Sequence, residues 1–259
     1  TVVLTAVNGE DTNGWSNLLT AVDTAAAGDT IFLCTTEDVT IPTNGMDIGI
    51  DQSISIVNGS GFDVTFDSEF ASSEFFISPA GKGGAIDVTF EGLGFANFYD
   101  GAIYANFNDF DSTLTVEDSR FSYGYDSAIF LDGNDSGHLV ITDSYFDDNE
   151  SNYRGGAITA QDINTVSVSG STFIGNESYN GSGGAIWMED YSGADASLTV
   201  HNSTFSYNTA DDWGGAISLD DVDLTVTGTT VFDHNATQED DGGAISAKGG
   251  WVTVYEDRI

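Results

Sequence analysis

Val166-Ser167-Val168, Phe173-Ile174-Gly175-Asn176 and Gly183-Gly184-Ala185-Ile186 follow one another, and the same three-part order recurs along the chain. Gly-Gly-Ala-Ile returns at 155–158, 214–217 and 242–245, with shorter forms at Gly101–Ile103 and Ser127–Ile129. Alternating triplets such as Leu114-Thr115-Val116 begin at residues 88, 114, 139, 166, 198, 224 and 252, spaced 25–32 residues apart. A phenylalanine follows each of the first six: Phe95, Phe121, Phe146, Phe173, Phe205 and Phe232. In the last four it opens Phe-x-x-Asn, ending at Asn149, Asn176, Asn208 and Asn235. A fixed period of this size means stacked supersecondary units.

Period-two alternation reads as strand, and no helical spacing is sustained beyond residue 50. Three short strands joined by tight corners fill one period, which is one coil of a single-stranded right-handed parallel β-helix. Coils stack about 4.8 Å apart, so equivalent side chains meet their own kind. Phenylalanine, isoleucine and asparagine ladders are expected. Paired glycines allow positive φ and close approach of coils. The longest coil is expected to carry its extra residues as a loop at Asp190–Asp195.

The chain reads as one domain of 259 residues, with 1–50 as cap and first coils and 51–259 as repeat coils. Trp15–Ala27 reads as the one helix. Ser16 is its expected N-cap, Gly28 its stop, and Leu18, Leu19, Val22 and Ala26 its apolar face. It is placed over the open end of the stack, which otherwise exposes unpaired backbone. No apolar run is long enough to span a bilayer, so membrane insertion is not expected. The start at Thr1, already strand-like, reads as that of an exported, processed chain.

Forty-two acidic residues against five basic ones give a net charge of −37. Nucleic-acid and anionic-membrane binding need basic patches, and none is present. The acids gather between phenylalanine and Gly-Gly, so stacking places them on one edge. The plain reading is a solvated acidic surface. The metal reading is bridging by calcium at Asp147, Asp148, Asp211, Asp212, Asp240 and Asp241. No cofactor is otherwise required.

Catalysis is weighed against the same pattern. Lys82, Arg120, Arg154, Lys248 and Arg258 fall at different repeat positions and do not converge, and His138, His201 and His234 are scattered. Carboxylates are too abundant for any pair to signify a glycosidase. The expectation is therefore no catalytic residues and no enzyme. The alternatives are a polysaccharide-acting hydrolase or lyase, and a monomeric carbohydrate-binding adhesin. Trp187, Trp213 and Trp251 flank the corners, where packing competes with sugar stacking. Cys34 is the only cysteine, so no intrachain disulfide forms.

Seven asparagines lie in Asn-x-Ser/Thr. Asn149, Asn176 and Asn235 also belong to Phe-x-x-Asn, and an inward ladder excludes a glycan there. Asn58, Asn134, Asn180 and Asn202 are the glycan candidates.

The paired Gly-Gly-Ala-Ile and Phe-x-x-Asn motifs from Val88 to Ile259 resemble the polymorphic outer-membrane protein repeats of bacterial surface adhesins. Leu18–Ile31 is similar to the start of many secreted right-handed β-helix proteins. The resemblance implies an extracellular or cell-surface location and a role in adhesion or self-association. Anchoring through a membrane barrel, as in the autotransporter members, is not expected of the sequence as given. After Ile245 a further coil begins and does not close. Trp251, Val252, Val254, Tyr255 and Ile259 are therefore the expected surface for end-to-end stacking of copies into a filament or matrix.

Overall fold

The computed structural model describes residues 2–5, 13–35, 38–41, 46–61, 63–69, 72, 74–79, 83–107, 110–193 and 195–255. The chain winds into a parallel β-solenoid of eight coils, right-handed as parallel crossovers are. Three long sheets run its length. The triplet sheet has ten strands, from Val2–Thr5 to Val252–Val254. The phenylalanine sheet has eight, from Val39–Thr40 to Val231–Asp233. The alanine-isoleucine sheet also has eight, from Ile48–Ile50 to Ile245–Lys248. A fourth, four-stranded sheet fills the wide corner before the Gly-Gly pairs, from Glu150–Ser151 to Ala236–Thr237.

The expected ladders form in register. Ile129, Ile158, Ile186, Ile217 and Ile245 pair in sequence. Phe95, Phe121, Phe146, Phe173, Phe205 and Phe232 stack with centroids 4.5–5.0 Å apart. The coil rise sets that distance, which is why the rings lie face to face rather than edge to face. Asn149, Asn176 and Asn208 are fully buried. Each donates its Nδ2 to the next asparagine's Oδ1 at 2.9 Å and to a phenylalanine carbonyl of the coil before. The asparagines thus satisfy backbone groups at a corner where strand pairing lapses.

A serine ladder runs beside them. The amides of Leu93, Ser119, Ser144 and Ser171 donate to the hydroxyls of Ser119, Ser144, Ser171 and Ser203, at 3.1–3.2 Å. In the two middle pairs, Gly183-Gly184 and Gly214-Gly215, the glycines divide their tasks. Gly183 and Gly214 hold positive φ, at 69° and 67°. Gly184 does not, but a Cβ there would lie 2.3 Å from the Gly215 carbonyl oxygen and 2.4 Å from that of Thr209. The first glycine serves the turn and the second serves coil contact.

The cap helix spans Asn13–Thr24, earlier than the expected Trp15–Ala27. Ser16 lies inside it and its carbonyl accepts the Thr20 hydroxyl at 2.9 Å, so it is not the N-cap. The buried face is Trp15, Leu18, Ala21, Val22 and Ala25, while Leu19 is half-buried and Ala26 exposed. The stripe shifts because Trp15 anchors it. Its ring sits edge-on to Phe66 and Phe75, and its Nε1 donates to the Met46 carbonyl at 2.8 Å. Gln52 closes the far end, donating to the Ala25 carbonyl at 2.7 Å. The helix packs on Val39–Thr40 and Ile48–Ile50, over the first coil as expected.

Candidate functional site

In the alanine-isoleucine sheet the isoleucine, or Phe75 at the same register, points inward and the next residue to the other face. The outward series begins Phe76, Tyr104, Phe130 and continues Thr159, Trp187, Ser218. Phe76 and Tyr104 stack at 5.5 Å, and Tyr104 and Phe130 at 5.1 Å, with planes 14° and 6° apart. These rings form a solvent-facing run, with Phe76 exposed. The run leads into a groove of about 330 Å³ lined by Asp126, Ser127, Phe130, Tyr153, Arg154 and Thr159. The Ser127 and Thr159 hydroxyls lie 2.7 Å apart on its floor. The Arg154 guanidinium covers the Trp187 ring at 4.3 Å, and its Nη1 donates to Gln161 at 2.7 Å.

Glu74 immediately precedes the strand that carries Phe76 and sits half-buried at the edge of the aromatic run. Burial pushes its carboxyl up to about 7, and the charges of Asp47, Asp100 and Asp126 push the same way. Its amide donates to the Asp47 carboxylate at 3.3 Å. A carboxylic acid that keeps its proton near neutrality, among carboxylates and beside an aromatic platform, can deliver a proton to a bound sugar's leaving oxygen.

Most residues expected to act lie elsewhere. Asp147 is 5% exposed and holds Arg120 through two bonds, at 3.0 and 2.7 Å. That pairing raises the guanidinium pKa. Arg120 also covers Tyr145, and both line a larger groove of about 620 Å³ on the phenylalanine sheet with Asp118 and Asp143. Asp148 is exposed, Asp211 and Asp212 half-buried, and Asp240 and Asp241 exposed. None of these six aspartates belongs to the three-carboxylate group found among the described residues, Asp135, Asp162 and Asp190.

Lys248 pairs with Asp220 at 2.6 Å, and Lys82 and Arg258 lie outside the described residues. His138 faces Asp111, His201 faces Thr227 and His234 faces Asp233, on separate coils. Asn134, Asn180 and Asn202 are exposed, while Asn58 is half-buried and donates to the Gly92 carbonyl at 2.9 Å. Trp251, Val252, Val254 and Tyr255 are exposed on the last described coil, and Ile259 lies outside the described residues. Trp213 is exposed and Trp187 is buried. Cys34 is half-buried with a free thiol.

Residues 76–259 match the family model described as "Right handed beta helix region". No match to the sequence is found among curated proteins. Among solved structures, the chain is similar to one titled "Crystal structure of pectate lyase Pel9A". The TM-score is 0.50 at 14% identity, with 100% of this chain and 79% of that chain covered. At that identity the likeness shows the fold. The expectation that the chain is not an enzyme is corrected to that extent: the same fold is shared with a protein titled a pectate lyase. Among so many carboxylates Glu74 carries no mark in the sequence, and only its burial in the fold singles it out.

Proposed function

The chain belongs to the right-handed β-helix family, and from that premise we propose that it is a polysaccharide-acting β-helix. Its substrate surface is the aromatic run of Phe76, Tyr104 and Phe130 with the groove beyond. Sugar rings stack on the run, as apolar ring faces do on aromatic side chains. Glu74 gives its proton to the glycosidic oxygen as that bond breaks, and a neighbouring carboxylate among Asp47, Asp100 and Asp126 takes the proton of the attacking water. The observation that carries this reading is the raised pKa of Glu74 beside three carboxylates and the stacked rings.

The pectate lyase neighbour is named for a polyanion. A chain of net charge −37 repels polyanions, so a neutral polysaccharide is the proposed substrate class. The acidic surface and the repeat resemblance support an extracellular or cell-surface setting. The same platform supports adhesion to surface glycans as a second reading. End-to-end association through Trp251, Val252, Val254 and Tyr255 is a further proposal, tested by sedimentation of Trp251→Ser against the unaltered chain.

The test of function is a panel of neutral polysaccharides, scored for binding and for release of reducing ends. Glu74→Gln is expected to lower turnover by about 10²-fold or more while binding is kept. Tyr104→Ala is expected to weaken binding. Unaltered turnover in Glu74→Gln refutes the assigned role. No binding and no turnover across the panel refutes the whole reading.

A further inference from the structure

Asp135, Asp162 and Asp190 lie at the opposite edge of the alanine-isoleucine sheet from Glu74. Each sits just beyond the end of a strand: Ile129–Asp132, Ile158–Gln161 and Ile186–Glu189. We propose that these three side chains bind calcium, and that the ion ties three successive coils together.

One oxygen from each carboxylate lies within 4.8 Å of the others. Calcium takes oxygen ligands at roughly 2.3–2.6 Å, so two ligands across one ion stand about 4.6–5.2 Å apart. Magnesium, at about 2.0–2.1 Å, demands a tighter and more regular set.

The second observation is Asp190 itself. It is 3% exposed, and its Oδ2 is sealed from solvent without a hydrogen-bond partner. Its Oδ1 accepts from the Ser192 amide at 2.9 Å and the Ser192 hydroxyl at 2.7 Å. A buried carboxylate oxygen with no partner is costly, and such groups in folded proteins pair or coordinate metals. Among the described residues no lysine or arginine forms an ion pair with any of the three. Arg154 is directed to Gln161, and Lys248 to Asp220.

Asp162 is held in place because one of its oxygens accepts the Tyr191 amide at 2.7 Å. Asp135 is exposed and leaves one side open for water ligands. The site thus grades from a sealed carboxylate to an open one, a geometry suited to an ion that enters from solvent.

The experiment uses the full chain and calcium chloride alone. Calorimetric titration is expected to show one site, and the melting temperature to rise by about 5–10 °C at a hundredfold excess over Kd. Asp162→Asn and Asp190→Asn are expected to lose both signals. Asp135→Asn, at the exposed ligand, is expected to weaken binding by about tenfold without altering the calcium-free melting temperature. It therefore serves if the buried variants fail to fold. Asp211→Asn/Asp212→Asn is expected to keep the full calcium response. No calcium binding by the unaltered chain overturns the proposal. So does an affinity unchanged in Asp135→Asn, a calcium response retained in Asp162→Asn, or one lost in Asp211→Asn/Asp212→Asn.

Discussion

Asn176→Ala removes the middle rung of the asparagine ladder. The Asn176 side chain donates to the Phe146 carbonyl at 3.1 Å and to Asn208 Oδ1 at 2.9 Å. It accepts from the Asn149 amide at 3.2 Å and from Asn149 Nδ2 at 2.9 Å. Alanine abolishes all four bonds. Asn149 Nδ2 keeps the Phe121 carbonyl, and Asn208 Oδ1 keeps the Asn176 amide. The Asn149 amide and the Phe146 carbonyl lose their side-chain partner in a buried place. The Phe146 carbonyl lies mid-strand in the ladder with Thr172–Ile174, so the Asn149 amide is the group left orphaned; at about 1–3 kcal/mol for it, the expected loss is about 2–4 kcal/mol once the small void is included. Asn235 makes three of the four equivalent bonds and is only half-buried, so water can replace its side chain. Asn235→Ala should cost about 1 kcal/mol. Urea unfolding followed by tryptophan fluorescence compares the two variants. Solenoids can unfold in segments, so amide exchange at Asn149 supplies the local measure. A loss in Asn176→Ala no larger than in Asn235→Ala, with Asn149 exchange unchanged, refutes the ladder as a source of stability.

Gly184→Ala should destabilise the chain by about 3 kcal/mol or more, because the new Cβ meets backbone rather than a yielding side chain. Gly49→Ala, with open space around it and no positive φ, should change the melting temperature little, and thermal melts of the pair check this. Glu74→Gln should stabilise the chain at pH 8 by about 1–2 kcal/mol, after allowance for solvent screening, and be nearly neutral at pH 4. The sign follows because a raised folded-state pKa favours folding below it and costs stability as pH rises through 7; unfolding curves at the two pH values read it directly. Expressed in a glycosylating host, the chain should carry glycan at Asn134, Asn180 or Asn202 and none at Asn149 or Asn176, as peptide mass spectrometry would report.

The fold was legible because the coil repeats residue identity as well as polarity. Phenylalanine meets phenylalanine and asparagine meets asparagine, so the period alone specifies the register. The serine ladder passed unread because serine also fills exposed corners in this chain. The helix boundary moved because tertiary contact at Trp15 outweighed local capping at Ser16. Glu74 and its platform lie partly in residues 33–87, where the repeat is faint, and outward positions change identity from Phe76 to Ser218. The calcium ligands were hidden for another reason. Asp135 stands three residues beyond its strand, whereas Asp162 and Asp190 stand one beyond theirs, so no shared repeat position marks the set. Asp147 looked available because only the structure places Arg120 of the neighbouring coil against it.

The two ends of the aromatic core differ in kind. Phe121 to Phe205 stack with planes within 3° of parallel, whereas Trp15, Phe66, Phe75, Phe90 and Phe95 meet mostly edge to face. Parallel stacks permit a coil to slip by one period, because every rung looks alike. A crossed cluster does not, because each ring has a distinct partner. A chain emerging from a ribosome or a translocation pore therefore completes its one unambiguous end first. Each later coil then closes about the same short loop onto a finished template, at nearly constant entropic cost. The order of synthesis and the order of assembly coincide, and register errors are settled before the repetitive coils are made.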